Sequence, residues 1–153
     1  MKTLLIIEDD EVMVKLYKTI IQHELPDVSA AVATSIDEAL QCVKSISFDL
    51  YQVDINVNGD NGLTDFLYVV RQQRDCTPAI VVSAHQQHEV NDLLLGTSAF
   101  SYVCKAQTDF KDDYVTALRN TMDTNGNKLR EALDSLLTAT NSLQEHMGGL
   151  NHE

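Results

Sequence analysis

A short apolar run followed by an amphipathic segment recurs five times along this sequence, and no other feature constrains the fold as strongly. In the first unit, the apolar run at residues 4–7 precedes residues 12–25, where apolar side chains recur every three or four positions. Uninterrupted apolar runs are typical of parallel strands covered on both faces, and the longer spacing is typical of a helix. The pattern therefore predicts alternating strands and helices.

Four more units follow the first one. Further strands are predicted at residues 28–33, 48–53, 79–82 and 102–104, and further helices at 36–43, 63–71, 89–95 and 110–122. The second helix begins at a capping box, in which Glu38 follows Ser35 by three residues. Parallel neighbours need crossover connections, and these are right-handed. We therefore predict an α/β fold: a doubly wound, five-stranded parallel sheet with five helices.

The composition bounds the size of the protein and the partners it can have. The chain has 153 residues, of which 44% are hydrophobic, enough for one sizeable core. Acidic residues outnumber Lys and Arg by 23 to 11, giving a net charge of −12. The sequence has no cluster of Lys and Arg that could follow a phosphate backbone. We therefore expect no binding to nucleic acid or to an anionic membrane.

The cysteines and the N-terminus bear on the cellular compartment. Cys42, Cys76 and Cys104 are widely spaced, and their odd number argues against a secreted disulfide framework. The apolar run in MKTLLIIEDD is too short for a signal peptide or a membrane span. We expect a cytoplasmic protein with reduced thiols.

Functional side chains follow four of the predicted strands, at the point where each strand ends. Glu8 and Asp9 end the first strand, Asp54 the third, Ser83 the fourth and Lys105 the fifth. Ligands of doubly wound sheets bind outside the carboxyl ends of the strands, so these side chains should share one rim. Singly, each has an ordinary explanation as a helix cap, a surface cation or a strand-end hydroxyl.

Together, these residues have the chemical groups that phosphoryl transfer needs. Carboxylates are suitable ligands for Mg²⁺, which commonly binds a substrate phosphate as well. A carboxylate can also act as the nucleophile that forms an aspartyl phosphate. A lysine and a hydroxyl can then contact the phosphoryl oxygens. The set is sufficient for phosphoryl transfer.

Residues 53–62, VDINVNGDNG, also resemble a calcium loop, with oxygen-bearing side chains at alternate positions and Asp65 in the twelfth position from Asp54. An EF-hand loop follows a helix, whereas FDLYQV before this loop is a predicted strand. The eighth position is Asn61 where an apolar residue is normal, and the twelfth is normally a bidentate Glu. A carboxylate at a strand end is therefore the better interpretation.

The motifs LLIIEDDE, VDINVNGDNG, AIVVSA and YVCK resemble those of response-regulator receiver domains of two-component signalling, and are similar to those of the chemotaxis single-domain regulator. The resemblance covers about residues 2–122 and implies a flavodoxin-like receiver fold. It implies that Asp54 is the phosphoacceptor and that Glu8, Asp9, Asp54 and the backbone carbonyl of Asn56 bind Mg²⁺.

The resemblance assigns further roles near Asp54. Ser83 would be the switch hydroxyl, Lys105 the phosphate-contacting lysine, Tyr102 the aromatic that changes rotamer, and Ala84 the floor of the access path. Asn56 and His85 lie two residues beyond Asp54 and Ser83, at positions that influence how fast water removes the phosphoryl group. For His85, an ordinary exposed loop residue is the favoured interpretation, and a proton carrier near the site is the other.

Three residues depart from expectation. Asn58 stands where many receivers have proline, and Ala106 follows the lysine where a proline is usual. We expect the second change to loosen Lys105 without removing it from the site. Gln52 interrupts an apolar strand and would need a hydrogen-bond partner if buried, and the sequence does not identify one.

The chain continues beyond the receiver pattern, with a turn cluster at residues 123–127 dividing domain 1–123 from a helical extension, 124–153. Its apolar residues follow a heptad seam, and Thr140 lies within it. Self-association through this seam is the first interpretation, and packing back on the receiver or docking to another protein are the alternatives. The seam residues are Leu129, Leu133, Leu136, Leu143, Met147 and Leu150.

The leading functional hypothesis is a stand-alone response regulator. A sensor histidine kinase or a phosphotransfer protein would donate the phosphoryl group to Asp54, and an unidentified downstream protein would respond. Such a protein assists its own phosphorylation and dephosphorylation, and we do not expect it to be an enzyme with a separate substrate. The alternative is a receiver-fold scaffold or dimerisation module that works without phosphorylation.

Overall fold

The computed structural model describes residues 1–95, 97, 99 and 101–150, with side chains described except at 124–130 and 145–150. These residues contain five long strands: β1 Lys2–Ile7, β2 Val28–Ala33, β3 Leu50–Val53, β4 Ala79–Ser83 and β5 Ser101–Cys104. The strands form one parallel sheet in the order β2-β1-β3-β4-β5. The predicted five-stranded parallel sheet is confirmed.

Six helices accompany the sheet in the described part of the chain, the last being the additional C-terminal one. They are α1 Glu11–Glu24, α2 Ile36–Ser45, α3 Tyr68–Gln72, α4 Gln87–Leu94, α5 Phe110–Met122 and α6 Thr124–Leu150. The fourth helix, predicted at 89–95, begins two residues earlier and ends one residue earlier.

The helices cover both faces of the sheet, as a doubly wound fold requires. On one face, strand residues such as Val53 and Val81 pack against α2, α3 and α4. On the other, Ile6 and Val82 pack against α1 and α5. Successive strand side chains point to opposite faces, so each strand contributes to both cores. This explains why the strands read as continuous apolar runs.

Two predicted helix starts rest on side-chain caps. Asp10 accepts hydrogen bonds from the backbone N–H groups of Val12 and Met13 at the start of α1. At the start of α2, the Ser35 hydroxyl accepts from the N–H of Glu38 over 3.1 Å. The Glu38 carboxylate completes the cap on Thr34, one residue before Ser35. Local sequence was sufficient to place both starts.

The loop after β3 contains a feature that the sequence analysis missed. Asn56–Val57 pairs with Asp60–Asn61 in a short antiparallel ladder. Asn58 and Gly59 form its turn with φ of 52° and 86°. Asn-Gly is the preferred pair where both turn residues need positive φ, so the signal was present in the sequence.

The helix after this loop begins with wide turns over Gly62–Leu67 before α3. The N–H of Tyr68 donates to the carbonyl of Leu63, five residues earlier. Asp65 accepts from the N–H of Asn61 over 2.9 Å, and the side chain of Asn61 accepts from the N–H of Leu63 in the first turn of the helix. The carboxylate that completed the calcium pattern therefore caps this helix, and a strand precedes the loop.

Gln52, the polar residue on β3, is buried and has a specific partner. The Tyr114 hydroxyl, from α5, donates a hydrogen bond to its side-chain carbonyl. Burying an amide oxygen without a donor would be costly. The two residues are 62 positions apart, so the pairing depends on how α5 packs on the sheet.

The extension is helical from Thr124, so the turn predicted at residues 123–127 is confined to Asp123. Leu136 and Leu143 are 63% and 64% exposed, whereas Leu133 is half-buried. The side chains of the other seam residues, Leu129, Met147 and Leu150, lie outside the described ones. On another side of α6, Glu131 and Asp134 line a cavity shared with the chain segment 74–76.

None of the helices in the described part of the chain is long and apolar enough to cross a membrane.

Candidate functional site

The ends of β1, β3 and β5 bring two carboxylates and an ammonium into direct contact. Nζ of Lys105 lies 2.5 Å from Oε1 of Glu8 and 2.6 Å from Oδ2 of Asp54. The three side chains are between 2% and 13% exposed. The predicted rim therefore has a core of two negative charges bridged by one positive charge.

Glu8 is the most buried member of this group. Its Oε1 also accepts a hydrogen bond from the Tyr17 hydroxyl over 3.2 Å, and its Oε2 is 3.5 Å from the N–H of Asp10. Burial raises the pKa of Glu8 to about 7, with the nearby Asp54 adding to the effect and Lys105 opposing it. Near neutral pH, this carboxyl is therefore close to the midpoint of its titration.

Lys105 remains charged in this setting. Burial by itself lowers the pKa of Lys105, but the hydrogen bonds to Asp54 and Glu8 outweigh it and raise the pKa above its ordinary value. The backbone of Lys105 is also held, since its N–H donates to the carbonyl of Ser83 over 2.8 Å. Ala106 follows on a trans peptide bond, and Lys105 keeps its place in the site.

Asp9 lies at the exposed edge of the site and binds the loop after β3. Its Oδ2 accepts a hydrogen bond from the N–H of Asn58 over 3.0 Å. Proline at position 58 would lack this N–H and could not adopt the positive φ found there. The departure at Asn58 therefore has a structural reason in this chain.

The oxygen atoms of the pocket fit a cation that takes few protein ligands. No group of three or more His, Cys, Asp or Glu side chains surrounds a common metal position in the described part of the chain. Lys105 engages Oδ2 of Asp54 rather than Oδ1. Mg²⁺ usually binds one or two carboxylates and keeps several waters, so this donor set suits it.

His85 connects the other predicted site residues. Its backbone N–H donates to Oγ of the buried Ser83 over 3.4 Å, and its carbonyl accepts from the Tyr102 hydroxyl over 2.5 Å. Tyr102 is thus partly buried with its hydroxyl directed at the β4–α4 loop. Ala84 lies exposed in this loop, and its carbonyl is 3.8 Å from the Cys104 thiol.

The imidazole of His85 bridges two elements above the strand ends. Nε2 lies 3.3 Å from Nδ2 of Asn56, and Nδ1 lies 3.5 Å from a carboxylate oxygen of Glu89. The His85 side chain is 43% exposed and makes these two contacts at the surface of the protein. The structure therefore brings the two predicted tuning residues into contact.

Gly62 allows the following helix to pass close to the phosphoacceptor candidate. A Cβ atom at this position would lie 1.9 Å from the backbone oxygen of Asp54 and 2.6 Å from Cγ1 of Val53. Contacts this short are sterically impossible without moving the backbone. Glycine here therefore sets the path of the chain directly beneath the site.

Tyr17 is the site neighbour that the sequence analysis missed. Its position suggested only one more apolar residue in α1, and the side chain is fully buried. The hydroxyl-to-carboxylate contact with Glu8 depends on how α1 packs against the end of β1. Helical spacing in the sequence indicated that the residue faces the core, but gave no signal for this partner.

The family model for the response regulator receiver domain matches residues 4–119. Among curated proteins, none matches the chain.

Solved structures with the same fold include several receiver domains. A CheY-like response regulator receiver domain protein from Methanospirillum hungatei has a TM-score of 0.71 and is 21% identical, covering 84% of this chain and 98% of its own. A receiver domain protein from Clostridium thermocellum has a TM-score of 0.69 at 21% identity, with coverages of 84% and 98%. A Francisella receiver domain has a TM-score of 0.67 at 20% identity, with coverages of 86% and 98%.

Proposed function

Because the chain belongs to the response regulator receiver domain family of two-component signalling, we propose that it accepts a phosphoryl group on Asp54 from a histidine kinase or a phosphotransfer protein. The observation that carries the proposal is the contact of Lys105 with both Glu8 and Asp54 at the strand ends. It puts a nucleophilic carboxylate, a second acid and a cation within one pocket.

The transfer step uses Asp54 as the nucleophile. A carboxylate oxygen of Asp54 attacks phosphorus, a P–O bond forms, and the P–N bond of the donor phosphohistidine breaks, its electron pair returning to the imidazole. Oδ1 is the oxygen suited to attack, because Oδ2 contacts Lys105. The signal ends when water attacks phosphorus: a new P–O bond forms, the P–O bond to Asp54 breaks, and inorganic phosphate and the Asp54 carboxylate are released.

The other pocket residues position and neutralise charge. Glu8, Asp9, Asp54 and the carbonyl of Asn56 would hold Mg²⁺ once their side chains rearrange around it, since three such side chains do not converge on one point among the described residues. When bound, the cation offsets the negative charge on the phosphoryl oxygens. Lys105 would turn from the carboxylates to a phosphoryl oxygen as a compact point charge. The chain acts on its own Asp54, so we propose that it is not an enzyme with a separate substrate.

The response to phosphorylation would run through the β4–α4 loop. The Ser83 hydroxyl would contact the phosphoryl group, and Tyr102, held to the carbonyl of His85, would change position with the loop. The added charge is a local event that biases a two-state element. The face around α4, β5 and α5 would then bind a downstream protein differently.

The proposal is tested with beryllofluoride, a stable mimic of a phosphoryl group. Amide NMR spectra are recorded for the full chain with Mg²⁺, before and after adding beryllofluoride. We expect shifts at Asp54 and around Ser83, His85 and Lys105. An unchanged spectrum would instead favour the second candidate, a receiver-fold scaffold that works without phosphorylation.

The affinity for Mg²⁺ should rise with pH between about 6 and 8. Burial raises the pKa of Glu8 to about 7, and a carboxyl must lose its proton to act as a metal ligand. Protons therefore compete with the metal below this pKa, and the competition disappears above it. Isothermal titration calorimetry at pH 6 and pH 8 measures the effect, and equal dissociation constants would contradict it.

Asn56 and His85 should influence the lifetime of the phosphoryl group. Their side chains meet above the strand ends, where an incoming water would pass. We expect Asn56→Ala and His85→Ala each to change the rate of phosphoryl loss about tenfold, which is less than the roughly 10²–10⁴-fold contributed by a positioned general acid or base. The decay is timed by intact mass after removing the donor.

Gln107→Ala is the control, because it removes an exposed amide that is hydrogen-bonded to Gln86. Its phosphorylated form should decay at the wild-type rate. Unchanged decay in both test variants would reject the role.

The extension supports a second proposal, a homodimer formed along α6. Leu136 and Leu143 lie one heptad apart and are mostly exposed. Between residues 132 and 144, the residues that flank the seam are Ala132, Leu137, Ala139 and Gln144, and none of these four carries a charge. A second copy could therefore cover the seam without bringing like charges together, despite the acidic composition.

Sedimentation tests the dimer directly. We expect the full chain to sediment as a dimer and a chain ending at Asp123 as a monomer. The double variant Leu136→Glu and Leu143→Glu should also be monomeric, because it places charges within the seam while changing only exposed side chains. A monomeric full-length protein would leave α6 as a helix that packs back on the receiver or docks to another protein.

A further inference from the structure

The Tyr17 hydroxyl enters the acidic pocket from the α1 side. It donates to Oε1 of Glu8 over 3.2 Å, and this is the oxygen that Lys105 contacts at 2.5 Å. Glu8 Oε1 therefore has two donors: one from a helix of the core, and one from the segment that follows β5.

The two donors differ in how firmly they are held. The Tyr17 ring is fully buried, with its centroid 5.1 Å from that of Tyr114 and 6.3 Å from that of Phe110. A ring in a close-packed core cannot move far without repacking its neighbours. The Lys105 ammonium ends a flexible four-carbon chain. Tyr17 is thus the fixed donor and Lys105 the movable one.

The Tyr17 hydroxyl can act here only as a donor. Burial and the adjacent negative charge of Glu8 raise the pKa of Tyr17 well above its ordinary value, so the hydroxyl keeps its proton. Glu8 gains little from its other oxygen, because Oε2 lies 3.5 Å from the N–H of Asp10. Once Lys105 leaves, the Tyr17 hydroxyl at 3.2 Å is therefore the closer of these two remaining donors to Glu8.

We infer that Tyr17 is a positioning residue, which holds Glu8 in place for Mg²⁺ while Lys105 engages the phosphoryl group. The inference rests on the proposed function, in which Lys105 exchanges one partner for another. Hydrogen bonds that orient metal-binding carboxylates typically change metal affinity by about 10-fold to 100-fold when they are removed. Tyr17 would thus couple the packing of α1 and α5 to the metal affinity of the pocket.

The test compares two tyrosines of the same aromatic stack. Tyr17→Phe removes the hydroxyl that reaches Glu8, and Tyr114→Phe removes the hydroxyl that reaches Gln52. Calorimetric titration with Mg²⁺ should give about 10-fold weaker binding for Tyr17→Phe and wild-type binding for Tyr114→Phe. Thermal unfolding without metal measures stability, which Tyr114→Phe should lower by leaving the Gln52 oxygen without its donor.

A rate measurement separates positioning from a general defect. The rate of phosphorylation by a small acyl phosphate is recorded as a function of Mg²⁺ concentration. Tyr17→Phe should need about 10-fold more Mg²⁺ for its half-maximal rate and approach the wild-type rate at saturation. A rate lowered equally at every Mg²⁺ concentration would overturn the inference, because it would indicate a merely structural role.

The outcomes distinguish this inference from the proposed function. If the wild-type protein binds Mg²⁺ and Tyr17→Phe binds it within twofold of wild type, the positioning role is rejected and the proposed function stands. Equal weakening in both tyrosine variants also rejects it. A wild-type protein that binds no Mg²⁺ and accepts no phosphoryl group would overturn both.

Discussion

Replacing Asp54 with Asn is expected to abolish phosphorylation by a small acyl phosphate in the presence of Mg²⁺. The substitution replaces one carboxylate oxygen with an amide nitrogen, and so removes the negative charge and one nucleophilic oxygen. The remaining carbonyl oxygen can still accept a hydrogen bond from Lys105. The fold should therefore persist while the reaction is lost. Intact mass spectrometry measures the result, since the wild-type protein should gain the mass of one phosphoryl group and Asp54→Asn should gain none.

The matched control for this prediction is Asp60→Asn. Asp60 lies in the same loop, is exposed and is part of the short antiparallel ladder. The Asp60→Asn variant should be phosphorylated as readily as the wild-type protein, because the Asp60 side chain makes no contact with Lys105 or Glu8. Modification of Asp54→Asn to the wild-type extent would place the acceptor at another residue and reject the role of Asp54.

Replacing Lys105 with Met is expected to destabilise the metal-free protein by about 3 kcal/mol at pH 8, the low end of the range for breaking a buried ion pair. The change leaves Glu8 and Asp54 close together without their counter-charge, and both are at most 10% exposed. Urea unfolding measures the loss. Adding Mg²⁺ should recover part of it, because the cation replaces the missing positive charge.

The cost of removing Lys105 should be smaller at pH 6 than at pH 8. Burial holds the pKa of Glu8 at about 7, above its ordinary value of 4.5. The folded state therefore binds a proton there more tightly than the unfolded state, and its deprotonation lowers stability as pH rises through this window. At pH 6, Glu8 can take up a proton and reduce the repulsion from Asp54.

Lys111→Met is the control for the lysine prediction. Nζ of Lys111 lies 3.3 Å from a carboxylate oxygen of Glu24, but the two side chains are 60% and 36% exposed. Exposed pairs contribute at most about 1 kcal/mol, so this variant should differ little from the wild-type protein. If Lys105→Met proves as stable as Lys111→Met, the contacts of Lys105 with Glu8 and Asp54 do not stabilise the folded protein, and the prediction is wrong.

The sequence was sufficient to predict the sheet and the rim of the site. Apolar periodicity located all five strands, and parallel strands carry their carboxyl ends to one edge. Glu8, Asp54 and Lys105 could therefore be expected to meet, although up to 97 positions separate them. The starts of α1 and α2 were also predictable, because their caps are formed by residues within a few positions of each helix.

Other contacts could not be read from periodicity. The Asn58-Gly59 turn had a local signal that was overlooked, but the partner of Gln52 had none. Its bond to Tyr114 exists because α5 packs across β3, and the hydroxyl at the end of a buried ring then reaches one particular amide. A spacing pattern identifies the buried side of a helix without specifying which atom on it meets which strand.

The doubly wound sheet, with an acidic pocket and a lysine at its strand ends, follows from the order of residues along the chain. The contacts of Lys105 with Glu8 and Asp54, of His85 with Asn56, and of Tyr17 with Glu8 appear only in the folded protein. Alternation and capping are local properties of the chain. Hydrogen-bond partners within a core depend instead on strand order and helix packing, which bring distant residues to within a few ångströms.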